Sequence, residues 1–336
     1  MQFDVGLIIG LAMVAALTFY ALTGGADFGG GVWDLFAFGP RAQAQRQTIV
    51  RAISPIWEAN HVWLILVIVL LFTCFPSAFF SICVALHIPL TILLFGIIMR
   101  GSAFVFRSYG SQSGGEQRLW GRVFAVSSCL TPILLGIVIG AISNDRLRTT
   151  GQNFYSIFID AWFQPFPFAV GFLALALFAY LAAVYLTLDT ADANVQSDFR
   201  MRALISFFIS ALIAVVVFVL ARSEAPGIYD HLHRSYPELA VTAIFAGLAL
   251  FSLLKRRYKL ARAFAAVQIT MILWGWVASQ YPFLVRPDVT IHDAAANERT
   301  LQLVIIALAF GAAVLFPSLL YLYRVFKAEQ APERTQ

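Results

Sequence analysis

Residues 301–322 read LQLVIIALAFGAAVLFPSLLYL, a run of 22 residues that contains no charged side chain. Residues 78–99 form a second run of the same length, also without Asp, Glu, Lys or Arg. An α-helix of about 20 apolar residues is long enough to cross the hydrocarbon core of a bilayer, which is about 30 Å thick. Both runs therefore predict helices that span a membrane.

The composition of the whole chain leads to the same conclusion. Its 336 residues are 60% hydrophobic and only 12% charged, and the mean hydropathy is +0.80. Soluble domains have about 25% charged residues, so these values exclude a typical soluble enzyme. The runs are also apolar on every face and longer than the alternating segments of about 10 residues that build a membrane β-barrel. We therefore predict an all-α polytopic membrane protein in which residues 1–336 form a single transmembrane domain.

The spacing of the apolar runs predicts about nine transmembrane helices. They lie near residues 5–23, 55–75, 78–99, 120–142, 162–186, 203–221, 238–254, 261–281 and 301–325. The first and fifth of these helices end alike, in small residues and acids at 23–27 and 187–192. This similarity predicts two four-helix bundles followed by a ninth helix, as in membrane proteins built from repeats. A chance similarity between apolar helices is the alternative.

Basic residues are distributed unequally between the two sides of the predicted membrane. Seventeen of the 23 Lys and Arg residues fall on the side that contains the C-terminus, and six fall on the other. Because cytoplasmic loops carry an excess of Lys and Arg, this bias places the N-terminus outside and the C-terminus in the cytoplasm. The net charge of +5 is thus a topology signal and does not indicate binding to nucleic acid.

The start of the second predicted helix carries several polar side chains. Ser54 and Pro55 are suited to the N-cap and the first helical position, since proline lacks an N–H that the helix leaves unpaired there. Glu58, Asn60 and His61 then follow within about one turn. A carboxylate, an amide and an imidazole this close together can relay protons when their surroundings bring Glu and His near neutrality.

A purely structural interpretation of this segment is equally favoured by its residue types. Glu58 is also suited to be an acid that interacts with the positive end of the helix dipole. Trp57 and Trp63 are typical of aromatic residues at a membrane interface. Both interpretations stay open on the residues alone.

A glycine-rich segment, GGADFGGGVWD at residues 24–34, follows the first predicted helix. Its acids, Asp27 and Asp34, are seven residues apart and would share one face if the segment were helical. They indicate a cation site or a proton entrance. The alternative is a tight re-entrant turn that packs against a neighbouring helix through its glycines, and we favour it on the sequence alone.

The sequence offers no convincing set of redox ligands. His87 is predicted to lie in the middle of the third helix, where a hydrogen-bonded core histidine is the better interpretation than a haem ligand. Cys74, Cys83 and Cys129 fall in apolar runs without CxxC or CxxCH spacing, and we interpret them as small apolar helix residues.

Three segments together resemble subunit II of the cytochrome bd-type quinol oxidases. They are GGADFGGGVWD at 24–34, SPIWEANHVWL at 54–64 and RGSAFVFR at 100–107, in matching order and spacing. The resemblance covers about the first third of the chain in its specific motifs. The remainder agrees mainly in length, helix number and orientation.

The resemblance implies a membrane complex that oxidises quinol and reduces oxygen to water in aerobic respiration. It places haem b, haem d and the quinol-oxidation site in a haem-bearing subunit I, and no haem on this chain. It further implies the bacterial cytoplasmic (inner) membrane as location, contacts with membrane lipid, a structural quinone and a small accessory subunit. No catalytic residue and no metal site are expected on this chain.

The resemblance also assigns residues. It implies a proton path from the cytoplasm through Glu58, with Asp27 at its entrance, to which Asp34 and His61 are added as candidates. Trp57, Asn60, Trp63 and Arg100 are implied as structural residues or as quinone or lipid contacts. This chain has Gly24 and Val105 where other members carry acids. The path is therefore expected either to use water, Asp27 and Asp34 or to run mainly through another subunit.

An ion-coupled secondary transporter is the alternative function from another class. The glycine-rich segment and the acids Glu58 and Asp27 at one face of the membrane motivate it. Transporters keep a polar site near the midplane of the membrane, and the fourth, sixth, eighth and ninth predicted helices have almost no polar residues there. Purification with native companions separates the two hypotheses, since only the oxidase subunit should bring a haem-rich partner.

We predict that reporter fusions will show the unequal distribution of basic residues to be a topology signal. A fusion in the loop around Arg146 should report from outside the cell, and a fusion between Lys255 and Arg262 should report from the cytoplasm. The opposite pair of signals would contradict the predicted orientation.

Overall fold

The apolar runs of the sequence form long α-helices in the computed structural model, which describes residues 4–53, 57–109, 114–151 and 153–329. The helices within these ranges are α1 (Val5–Leu35), α2 (Ala42–Ile53), α3 (Trp57–Cys74), α4 (Pro76–Ala85), α5 (His87–Tyr109), α6 (Gly114–Ser143), α7 (Phe154–Phe158), α8 (Pro165–Leu186), α9 (Ala193–Glu224), α10 (Pro226–Arg234), α11 (Tyr236–Leu254), α12 (Tyr258–Gln280) and α13 (Glu298–Glu329). A short antiparallel hairpin, β1 (Phe283–Val285) and β2 (Val289–Thr290), connects α12 with α13.

Eight helices of the described ranges are long and apolar enough to cross a membrane. A ninth span results if α2 and α3, whose axes differ by 53°, are counted as one bent span. The prediction of an all-α polytopic membrane protein is therefore confirmed. The predicted cap at Ser54 and Pro55 lies outside the described residues.

The first helix is longer than the sequence predicts. Residues 24–34 continue α1 as a regular helix, so the expected re-entrant turn is wrong. Glycine is unfavourable within a helix, but here the missing side chains allow neighbouring helices to approach closely. A Cβ atom added at Gly29 would collide with the carbonyl oxygen of Phe178 on α8.

The third predicted helix is also divided and shifted. The run 78–99 contains nearly all of α4 and the first half of α5, and the two helices meet at Leu86. His87 therefore begins a spanning helix and is exposed, so its predicted position in mid-span is wrong. The helix continues past Arg100 because this arginine is buried against other helices, whereas the sequence prediction ended the apolar run at the first charge.

The spanning helices pack in two groups. In the first group α1 contacts α3 and α6, and α5 contacts α6. In the second group α8 contacts α9 and α12, and α11 contacts α9 and α12. The groups meet where α8 packs against α1 and α6 and where α12 packs against α1, while α13 lies at the periphery beside α1 and α3. Because α8 packs as closely against α1 and α6 as against helices of its own group, a division into two four-helix bundles and a ninth helix stays a prediction.

Close backbone contacts hold the two groups together. A Cβ atom at Gly136 on α6 would lie 2.6 Å from the Cα atom of Gly171 on α8. The indole Nε1 of Trp33 on α1 donates a hydrogen bond of 2.7 Å to the carbonyl oxygen of Ala179 on α8. The interface between the groups thus depends on small residues that leave no space for added atoms.

We predict that Gly29→Ala will destabilise the protein by about 1–3 kcal/mol, because the new methyl group would force α1 and α8 apart. The matched control is Gly275→Ala on α12, where an added Cβ meets no atom within 4 Å. That control should be neutral or stabilising by up to about 1 kcal/mol. Thermal unfolding of the purified complex in detergent measures both effects, and equal unfolding temperatures for the two variants would contradict the close approach.

Candidate functional site

A buried carboxylate lies where α1 meets α3. Asp27 is only 6% exposed, and one of its oxygens accepts a hydrogen bond from the side-chain Nδ2 of Asn60. Asn60 is itself buried, at 1% exposure. The structure therefore brings together two residues that the sequence placed in separate motifs.

Arg100 on α5 supplies a positive charge next to this carboxylate. Its side chain is 2% exposed, and its positive charge lies near the Asp27 carboxylate. The guanidinium Nε donates to the hydroxyl of Ser128 on α6 at 3.2 Å. The guanidinium carbon lies 4.5 Å from the ring centre of Phe28, which adds a cation–π contact.

Two polar atoms of this cluster are buried without a hydrogen-bond partner among the described residues. They are Nη2 of Arg100 and the hydroxyl of Tyr20. Buried polar atoms of this kind usually bind an ordered water molecule or a ligand. The cluster around Asp27 can therefore hold water.

His61 on α3 borders the same cluster. Its ring centre lies 6.1 Å from the ring centres of both Tyr20 and Phe28, and the side chain is partly buried. The imidazole thus lies on the same side of α3 as the aromatic residues of α1.

Asp34, in the last turn of α1, forms an ion pair that is separate from the cluster around Asp27. Arg107 donates from Nη1 and Nη2 to the two carboxylate oxygens at 2.7 and 3.2 Å. Arg46 on α2 approaches the same carboxylate at 3.9 Å. Such a bidentate pair fixes both side chains and stabilises the junction of α1, α2 and α5.

The remaining predicted residues lie along the first two turns of α3. Glu58 is in the first turn and is exposed on this chain. Trp63 is buried and stacks on Phe19 of α1, with ring centres 4.7 Å apart. Trp57 begins the helix, and its side chain is outside the described part of the structure.

Several residues of the cluster were missed by the sequence analysis. Tyr20 and Ser128 lie within apolar runs beside other hydroxyl residues, Thr18 and Ser127, and no pattern distinguishes them. Arg107 did carry a signal, because it follows Arg100 by seven residues, as Asp34 follows Asp27. Residues seven apart lie on one helix face, so the two acids of α1 and the two bases of α5 form matching pairs.

The candidate metal ligands of the described residues are dispersed. Within the described ranges no group of three or more His, Cys, Asp or Glu side chains could hold a metal ion. The ring of His87 is at the surface, where Nδ1 lies 3.0 Å from the carbonyl oxygen of Val84 and the ring contacts Phe158.

Comparisons with known proteins show which family and which solved structure this chain is similar to. A profile of the family described as cytochrome bd terminal oxidase subunit II matches residues 5–326. The chain is 24% identical to the putative cytochrome bd menaquinol oxidase subunit II of Bacillus subtilis, over 98% of both chains. It is also 24% identical to the cytochrome bd-I ubiquinol oxidase subunit 2 of Escherichia coli, over 64% of this chain and 54% of that one. The fold matches a chain of the bd oxidase from Geobacillus thermodenitrificans with a TM-score of 0.80 and 24% identity, covering 96% of this chain and 99% of that one.

We predict that Arg100→Met will lower the free energy of unfolding by about 3–5 kcal/mol, because it leaves the buried Asp27 carboxylate without its neighbouring positive charge. Asp27→Asn in the same chain should restore part of this loss, since no unpaired negative charge then remains. Thermal unfolding of the single and double variants measures the coupling. Strictly additive effects would show that the two charges do not stabilise one another.

Proposed function

Because the chain belongs to the cytochrome bd terminal oxidase subunit II family, we propose that it conducts protons towards the oxygen-reducing centre of its complex through Glu58 and Asp27. Family membership makes the chain one subunit of a respiratory quinol oxidase in the bacterial inner membrane. Reduction of oxygen to water consumes one proton for each electron. Those protons must cross an apolar helix bundle, so they need side chains or water that can carry them.

The observation that carries this proposal is the hydrogen bond between Asn60 and the buried Asp27. Two opposing influences act on this carboxyl group, because burial disfavours its charged form and the nearby Arg100 favours it. A carboxyl group in such a balance can take up and release a proton. Glu58 is exposed and lies three residues before His61, on the same face of α3, so His61 is the side chain of this helix that can link Glu58 with the cluster around Asp27.

We propose that His61 and water complete the connection between Glu58 and Asp27. The imidazole borders the ring of Tyr20, whose buried hydroxyl has no protein partner among the described residues. Asp34 is not part of this proposal, although the sequence analysis included it. Its two hydrogen bonds with Arg107 support a structural role, since they fix α1 against α5.

The difference from other family members at Gly24 has a local explanation. An added Cβ atom at this position would lie 2.9 Å from the ring of Tyr20. The ring is buried between Phe28 and His61 and therefore has little freedom to move. Tyr20 thus occupies the space that an acidic side chain at position 24 would need, and we propose that water near Tyr20 replaces that acid.

We further propose that haem b, haem d and the quinol-oxidation site belong to the partner subunit I. Membership in the subunit II family supports this division. Trp63, which stacks on Phe19, and Arg100, which is enclosed between helices, are proposed to stabilise the bundle. A structural quinone, bound lipid and a small accessory subunit stay predictions, as does a single transmembrane domain over residues 1–336.

The orientation with the N-terminus outside is also part of the proposal. Arg41, Arg46 and Arg107 lie at the same end of the bundle, where they pair with Asp198 and Asp34. The excess of basic residues at this end supports a cytoplasmic location. Family membership also removes the ion-coupled transporter as an alternative function.

We predict that Glu58→Gln will lower quinol-dependent oxygen consumption at least about tenfold, which corresponds to about 1.4 kcal/mol in the limiting barrier. Glutamine keeps the shape of the side chain but cannot exchange a proton, whereas Glu58→Asp keeps the acid and should be affected much less. Asp27→Asn should lower oxygen consumption at least as much as Glu58→Gln does.

The matched control is Glu298→Gln, which likewise removes an exposed acid from the first turn of a spanning helix. It should leave turnover unchanged. Haem content and the amount of assembled complex are measured for every variant. Normal turnover of a fully assembled Glu58→Gln complex would contradict the proposed path and indicate a route through the partner subunit.

A further inference from the structure

A cavity whose wall carries acidic groups as well as apolar side chains reaches Asp27. Its volume is about 210 Å³, and it lies between α1, α2 and α8, where the two helix groups meet. Its wall includes Asp27, Ala182, Tyr185 and Asp189. Asp189 is exposed and Asp27 is buried, so the cavity extends from the protein surface into the bundle.

The cavity has the size and chemistry to hold water. One water molecule occupies about 30 Å³ in the liquid, so there is space for several. The carboxylates of Asp27 and Asp189 and the hydroxyl of Thr23 provide hydrogen-bonding groups along the wall. A cavity with polar groups of this kind is expected to be hydrated, whereas empty cavities are apolar.

Charged groups of both signs lie at the outer part of the cavity. The guanidinium carbon of Arg262 on α12 lies 4.3 Å from the ring centre of Tyr185 on α8, which keeps the arginine at the wall. Asp189 follows directly after the end of α8. The opening is therefore polar, and its opposite charges keep the local net charge low.

We propose that this cavity is a water-filled proton passage that supplies Asp27 from the surface, with Asp189 at its opening. Protons would move along water molecules in the cavity to the Asp27 carboxyl group, which also accepts a hydrogen bond from Asn60. From Asp27 the proton would continue through the path that contains Glu58, so that the cavity and that path act in series. The inference rests on the proposed function, in which Asp27 carries protons.

The hydration of the cavity is tested by cysteine labelling, which does not depend on turnover. Ala182 and Ala183 are adjacent on α8 and are 2% and 0% exposed, but only Ala182 lines the cavity. Each is replaced by Cys in a chain whose three native cysteines are Ala, and the assembled complex is treated with a small cationic methanethiosulfonate. Ala182→Cys should react at least tenfold faster than Ala183→Cys.

Proton supply through the cavity is tested by substitutions at its opening and wall. Asp189→Asn and Ala52→Leu, which fills space next to α2, should each lower oxygen consumption at least threefold in complexes with normal haem content. The matched control is Asp192→Asn, because it removes a nearby charge while asparagine preserves the N-cap of α9. This control should keep normal turnover.

The outcomes separate the passage from the proposed function. Equal labelling rates for Ala182→Cys and Ala183→Cys, or normal turnover of both Asp189→Asn and Ala52→Leu, would overturn the passage. If Asp27→Asn lowers oxygen consumption in the same experiments, Asp27 still transfers protons, and only the supply of protons to it through the cavity is refuted. Normal turnover of Asp27→Asn would instead refute the proposed function and the passage together.

Discussion

The buried guanidinium of Arg100 is the constraint on which the arrangement of the first four spanning helices depends. A charge within a membrane bundle is costly unless other groups compensate it. Arg100 lies on α5, and the compensation comes from two other helices, because Asp27 and Phe28 belong to α1 and Ser128 belongs to α6. Asn60 on α3 then binds Asp27. One charged side chain thus fixes the relative positions of four helices.

The second group of helices is joined to this charged centre by contacts of a different kind. Gly29, Gly136 and Gly171 allow backbone to approach backbone, so no polar side chain is required at the interface. Apolar packing of this kind leaves space only where the helices diverge. The cavity next to Asp27 lies at such a place, between the end of α8 and the neighbouring α1 and α2. The same arrangement therefore combines a tight interface with a polar space beside it.

The fold was largely predictable from the sequence, because the length and hydropathy of the apolar runs are enough to identify spanning helices. The errors arose where tertiary contacts compensate unfavourable residues. Residues 24–34 are helical although glycine disfavours helices, and α5 continues through Arg100 although a charge disfavours membrane burial. The break at Leu86 left no recognisable signal in its apolar run.

The site was predictable only in part. Asp27, Asn60 and Arg100 were identified from their motifs, but their mutual contacts were not. The equal spacing of the acids on α1 and the bases on α5 contained that information, since Asp34 pairs with Arg107 as Asp27 lies near Arg100. Tyr20 and the cavity depend on which helix faces meet, and a single sequence does not determine this.

The contact between Tyr20 and Gly24 has a consequence for how this site can change during evolution. The two positions lie one helical turn apart on α1, and the aromatic ring fills the volume above the glycine. A mutation that introduces any side chain at position 24 therefore first needs a smaller residue at position 20. The two positions should covary, and an intermediate with both a tyrosine and a larger residue should be rare among descendants of this chain.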